Sequence, residues 1–253
     1  MGYIGRKPTD AALTSSDIAD GIISTADLAA NAVTGAKVNT DVISAQTALA
    51  AAPADTDEFL VSDAGTIKRI DYSLIKGGGQ WENLTTTTIS SNTAQIIFNA
   101  THITSAHRDY CIVMSDFTLS ADAVPRMVIS EDNGSNYLAT SNYKYAMRSY
   151  KSDNSTNSKS SGNQQYWELT GDTVEGSSNQ SSSFVIMINN PLSTATRTTI
   201  SITGFMLTSG GLACGCYGGG TYANESTAKN AFKLYLSTGN YATGTFTLYG
   251  RKI

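Results

Sequence analysis

Chemistry needs donors, acceptors and nucleophiles at workable spacing, and the sequence offers few. Its two histidines, His102 and His107, stand five residues apart on one short stretch. Neither belongs to an HExxH pair that would hold zinc on one helix face. The three cysteines are Cys111, Cys214 and Cys216. The Cys-Gly-Cys spacing matches neither a CxxC redox site nor half of a zinc site with a second pair to complete it. They read as free thiols of a chain made in a reducing compartment. Paired carboxylates for glycoside cleavage would have to come from Glu131, Asp132, Glu168, Asp172 and Glu175. Glu131-Asp132-Asn133-Gly134 is better explained as a tight turn, because Asn-Gly reaches positive φ at little cost. It also has too few ligands in sequence for calcium. The triplets Gly77-Gly78-Gly79 and Gly218-Gly219-Gly220 lack the Lys-Ser/Thr that a phosphate loop carries after its glycines. The expectation is a chain with no catalytic residue, no metal and no cofactor.

Aromatic rings are the remaining lead. Tyr137, Tyr143, Tyr145, Tyr150, Tyr166 and Trp167 cluster around a polar middle section. A flat ring flanked by amides and hydroxyls suits a sugar, whose C–H face stacks while its hydroxyls hydrogen-bond. The alternative is that these rings fill a core or cover a sheet edge. Tyr143, Tyr145 and Trp167, beside the least core-like part of the chain, are the expected sugar contacts.

The elements that would position them are strands. Of 253 residues only 15% are charged, and Gly alone occurs 22 times. From Trp81 onward short β-prone runs alternate with turn signals: 95–98, 110–114, 126–130, 183–188, 199–203, 231–236 and 245–249. Ile200-Ser201-Ile202 and Phe246-Thr247-Leu248 alternate apolar with polar, as strands with one buried face do. This predicts an antiparallel β-sandwich, jelly-roll-like, over residues 80–253. Residues 149–182 are almost bare of aliphatics and read as long surface loops around one short strand. The block Gly210 to Tyr222 reads as a further loop.

The N-terminal part follows another rule. Written in tens, residues 14–43 give TSSDIADGII, STADLAANAV and TGAKVNTDVI. Ile18, Leu28 and Val38 share one column, and Ile23, Val33 and Ile43 another. One large aliphatic every five residues fits neither a helix nor an alternating strand. Backbone ordering costs roughly 1 to 2 kcal/mol per residue, while one buried aliphatic returns about 1.5 to 3 kcal/mol. An isolated segment of this kind cannot order itself by burial, so it must lean on copies of itself or on another protein, or stay a flexible linker. After it, Phe59-Leu60-Val61 and Ile67 flank Asp63-Ala64-Gly65 and predict a β-hairpin, with Asp71 capping a helical turn and Gly77-Gly78-Gly79 as a hinge. The expected organisation is a stalk over 1–47, a hairpin and hinge over 48–79, and the head over 80–253.

The run SSDIADGIISTADLAANAVTGAKV followed by PADTDEFLVSDAGTIKRIDYS resembles the N-terminal region of tail-fibre and other virion fibre proteins of tailed bacteriophages. Ile129 to Ala146 and Ser237 to Lys252 resemble, less specifically, a recurrent fibre head domain. The resemblance implies an extended stalk in a homotrimer, with Ile18, Ile23, Leu28, Val33, Val38 and Ile43 as its seam. It also implies an N-terminal segment docking on a virion tail or capsid protein, and a head that attaches to host-surface polysaccharide. A virion location with assembly in the host cytoplasm follows. The alternatives are a capsid-attached decoration fibre and, third, a glycan-depolymerising tailspike.

Net charge of -4 and pI ≈ 5.1 leave no cation excess for nucleic acid. Arg6 and Lys7 lead into Pro8 rather than an apolar signal segment, and the longest apolar run, Phe184 to Ile188, is far short of a membrane span. If the five-residue spacing is a seam between chains, changing Ile18, Leu28 and Val38 together to Ser removes about 1.5 to 3 kcal/mol per site per chain. Light scattering should then show a lower mass than the wild type.

Overall fold

The protein is described from a computed structural model, which covers residues 18–30, 32–39, 41–75, 81–177, 179–224 and 227–252. Residues 1–17, the first part of the region 1–47 expected to hold the virion-docking segment and stalk, and the hinge glycines 77–79 lie outside these residues. The chain divides into two units, one on each side of the 75/76 junction.

In the first unit the aliphatic spacing has a backbone counterpart. Main-chain N–H groups bond three residues back from Ile22 to Ala19, Asp27 to Ser24, Ala32 to Ala29, Lys37 to Thr34 and Val42 to Asn39, at 2.9 to 3.4 Å. One turn therefore closes every five residues, and each is preceded by one of Ile18, Ile23, Leu28, Val33 and Val38. The ten-residue sequence repeat is two such turns. Ser24 donates its hydroxyl to the Asp27 carboxylate at 2.7 Å, and that carboxylate also accepts from the Ser24 N–H at 2.8 Å. The same two bonds hold the Asp27 carboxyl below its ordinary range. Ile18, Ile23, Leu28, Val33, Val38 and Ile43 are 42% to 82% exposed in the single chain. Strands β1 (Glu58–Asp63) and β2 (Thr66–Asp71) then pair through a turn at Ala64 and Gly65, both at positive φ. A helical turn, Tyr72–Ile75, follows.

The second unit is all antiparallel β. Its strands are β3 (Trp81–Ile89), β4 (Gln95–Phe98), β5 (His107–Leu119), β6 (Pro125–Ser130), β7 (Tyr143–Lys151), β8 (Thr156–Gln164), β9 (Trp167–Glu168), β10 (Ser182–Asn189), β11 (Thr199–Leu207), β12 (Ala213–Tyr222), β13 (Ala231–Leu236) and β14 (Tyr241–Lys252). Eight form one sheet in the order β3-β14-β5-β10-β11-β12-β7-β8 and four form another, β4-β13-β6-β9. Both contribute to one buried cluster, which gives a sandwich-like head. Eight strands against four, with β10, β11 and β12 paired as a consecutive meander, differs from the eight-strand double Greek key of a jelly roll.

Two sequence expectations are overturned here. Residues 149–182 hold more than one short strand between loops: their first part finishes β7 and supplies β8, nine residues long, and β9 follows. Strand β8 has no aliphatic because it lies at the end of the strand order, where most of its side chains are exposed. Gly210 to Tyr222 is likewise no loop but contains the ten-residue β12, whose glycines admit close packing. A Cβ at Gly220 would meet Trp167 Cδ1 at 2.7 Å and the Lys144 carbonyl at 2.6 Å.

Among the described residues no helix is long and apolar enough to cross a membrane. Because an added carbon at Gly220 would meet Trp167 and the Lys144 carbonyl, Gly220→Ala should cost about 1 to 3 kcal/mol by overpacking. Gly215→Ala, on the same strand with nothing within 4 Å of the added carbon, should cost nothing measurable. Urea midpoints of the two variants test the contrast.

Candidate functional site

Side-chain direction in β7 sorts its aromatics. Tyr143, Tyr145, Met147 and Ser149 are buried, while Lys144, Ala146, Arg148 and Tyr150 are exposed. Successive strand residues point to opposite faces, so these two sets cannot share a side.

The three expected sugar contacts fall on the buried side. Tyr143 and Trp167 are fully buried and Tyr145 is 7% exposed. Tyr143 packs edge-on against Trp167 and Tyr222, with ring centroids 4.9 Å apart in both pairs. Its hydroxyl donates to the Leu138 carbonyl at 2.9 Å and accepts the Ile129 N–H at 3.1 Å. Trp167 Nε1 donates to the Thr221 carbonyl at 3.2 Å, and the Tyr145 hydroxyl donates to the Glu168 carboxylate at 3.0 Å. Burial pushes both tyrosine hydroxyls well above the phenol range, and the Glu168 charge adds to this at Tyr145. These rings hold two sheets together and do not form a sugar platform.

Four of the five carboxylates considered as catalytic suppliers are likewise occupied, and Glu175 keeps one buried oxygen without a hydrogen-bond partner. Glu168 is buried, with Arg126 at 3.4 Å and Lys159 at 2.6 Å, and Asp172 holds Lys151 at 2.5 Å. Glu131 pairs with the buried Lys229 at 2.8 Å. Asp132 accepts from Ser130 and Asn136 around the Asn133-Gly134 turn, whose residues have φ of 62° and 85°. Those bonds lower its carboxyl to about 2. His107 is buried beside Glu82 at 3.2 Å. The cysteines are free and buried, and burial raises their thiols, Cys216 to about 12, so each stays protonated at neutral pH. Among the described residues no group of three His, Cys, Asp or Glu side chains could hold a metal ion.

On the outer face of the large sheet the geometry differs. Tyr150 and Tyr217 stack with ring centroids 6.0 Å apart and planes 16° from parallel, and are 48% and 50% exposed. Their hydroxyl oxygens lie 3.5 Å apart, and the Arg148 guanidinium carbon is 5.4 Å from the Tyr150 ring centre. The shared hydrogen bond with Tyr217, aided by Arg148, draws the Tyr150 hydroxyl below the phenol range and pushes Tyr217 up.

Register places Phe205, Gly215, Tyr150 and Thr156 in one row across four strands, and Thr203, Tyr217, Arg148 and Ser158 in the next. Exposed Phe205 and Tyr150 thus flank Gly215, two strand spacings or about 9.5 Å apart at the backbone. Beside them a depression of ≈ 350 Å³ is lined by Ala146, Arg148, Ser158, Ser160, Tyr217 and Gly218, among others. Parallel rings, hydroxyls and a guanidinium around a shallow floor can stack on and hydrogen-bond a ring-shaped polar ligand, and they supply no acid–base pair.

Sequence reasoning included Tyr150 in its aromatic group but did not separate it from Tyr143 and Tyr145. The odd and even positions of YKYAMRSY were the available signal. Tyr217 and Phe205 were missed, one inside a presumed loop and the other beyond a strand predicted too short. No protein-family model, curated protein or solved structure matches the chain.

Tyr143→Ala should cost about 3 to 5 kcal/mol of stability, as removal of a core aromatic does. Tyr150→Ala and Tyr217→Ala should stay within about 0.5 kcal/mol of the wild type. Equilibrium unfolding of the three variants separates the buried rings from the exposed pair.

Proposed function

We propose that this chain is a non-enzymatic virion fibre protein of a tailed bacteriophage, a homotrimer whose head attaches the particle to a surface polysaccharide. The observation that carries the attachment is the exposed Tyr150–Tyr217 stack beside its depression. Rings stacked on each other leave their flat apolar outer faces to the C–H face of a sugar, and Ser158 and Ser160 at the depression and Thr203 beside Tyr217 offer hydroxyls.

The fibre part is supported by the resemblance over residues 10 to 75 and by six exposed aliphatics, each needing cover that a single chain does not give. The same segment in parallel copies would bring like residues together at every fifth position. In this reading the N-terminal segment docks on a tail or capsid protein, and the head needs no cofactor, metal or nucleic acid.

The test is a glycan array of bacterial capsule and lipopolysaccharide polysaccharides probed with the full chain and with the Tyr150→Ala/Tyr217→Ala variant. Binding to a subset of surfaces, at least tenfold weaker in the double variant at unchanged melting temperature, is the expected result. Equal binding by both proteins would remove the platform. Immunogold labelling of purified virions with an antibody to the head should decorate the particle.

A further inference from the structure

The charge on these four strands is one-sided. Strands β7, β8, β11 and β12 contain Lys144, Arg148, Lys151 and Lys159 and no aspartate or glutamate, in a chain whose net charge is -4. Two of these cations are neutralised from outside the four strands, Lys151 by Asp172 and Lys159 by Glu168. Lys144 and Arg148 are exposed on the outer face and make no ion pair among the described residues. The other half of the same sheet is balanced: His107 and Lys252 meet Glu82, and Arg251 meets Asp109. Arg148 is thus a guanidinium without an ion pair among the described residues, held beside the exposed Tyr150 ring on strands that carry no carboxylate, the nearest in sequence being Asp153 in the β7–β8 turn.

From this we infer that the ligand of the Tyr150–Tyr217 face is an acidic polysaccharide, one whose sugar rings carry carboxylates. The inference rests on the platform proposed above and names its ligand class. A carboxylate on C6 stands at the edge of a pyranose ring. When that ring stacks on Tyr150, the carboxylate comes beside Arg148, whose planar guanidinium donates two parallel hydrogen bonds to it. Lys144, on the same face of β7, meets a second charge along the polymer. Nucleic acid also carries negative charge and stackable rings, but binding along its backbone requires several phosphates to be neutralised. Two cations in a net-acidic chain do not supply that.

The test measures equilibrium binding of the full chain to polygalacturonate, alginate and hyaluronan, to the methyl ester of each, and to oligo-dT. Esterification removes the charge and keeps the sugar backbone. At least one acid should bind about tenfold or more tightly than its ester, the worth of one charge-assisted hydrogen bond, and the difference should shrink as salt is raised. Arg148→Gln should abolish the preference while ester binding stays, and Lys144→Gln should reduce it.

If every acid and its ester bind equally and Tyr150→Ala weakens both, the acidic ligand is overturned and the platform stands. If nothing in the panel binds and Tyr150→Ala/Tyr217→Ala also leaves the glycan-array pattern unchanged, both fail together. If nothing in the panel binds while the array shows neutral glycans lost in the double variant, only the acidic ligand is overturned. Tighter binding of oligo-dT than of any polysaccharide overturns it in favour of nucleic acid.

Discussion

Two sheets can share one core only if every strand sends alternate side chains to the same side, and that constraint organises this head. In β7 it fixes four consecutive inward positions, from Tyr143 to Ser149, and gives their neighbours to solvent. The inward set meets β9 and β12 in an aromatic cluster of Tyr143, Trp167 and Tyr222, one ring from the small sheet and two from the large. Rings packed edge-on contribute about 0.5 to 1.5 kcal/mol beyond the area they bury. The polar tips of Tyr143 and Trp167 are satisfied by Leu138, Ile129 and Thr221 main-chain groups and that of Tyr222 by the Thr140 hydroxyl, so these donors stay paired in the core. Gly220 completes the cluster by leaving room for the Trp167 ring.

The same alternation makes the outer face. Because Tyr145 and Met147 must point inward, Ala146, Arg148 and Tyr150 cannot. Because Cys214 and Cys216 fill the core side of β12, Tyr217 is turned out to stack on Tyr150. The carboxylates that balance nearby lysines are the core-side Glu168 and the partly buried Asp172, so they neutralise Lys159 and Lys151 and leave Arg148 alone. Core packing and surface chemistry are here one decision seen from two sides. A substitution that shifted the register of β7 by one residue would exchange the faces and lose both.

The first unit solves a different problem. Its turns are closed by local hydrogen bonds every five residues, which satisfy backbone groups without burying any side chain in the single chain. Such bonds contribute only about 0.5 to 1.5 kcal/mol each against the entropy of ordering the turn. The aliphatic before each turn is where further stabilisation has to come from. The spacing that fits neither helix nor strand is the spacing of a turn ladder.

What the sequence determined by itself is whatever depends on neighbours along the chain. The β-rich character from Trp81 onward, the Ala64-Gly65 and Asn133-Gly134 turns, the absence of an HExxH or paired-cysteine metal pattern and the five-residue aliphatic rhythm are all local and all legible. Strands β8 and β12 were not legible, because an edge strand can be polar throughout and a strand under a tryptophan can be mostly glycine. The tertiary structure alone decided which aromatics are core. Tyr143, Tyr145 and Tyr150 have the same composition around them, and only the packing of one sheet on the other fixes which parity faces inward. It also decided that Tyr217 meets Tyr150 across sixty-odd residues of chain, since cross-strand register is set by the whole sheet and by no local signal.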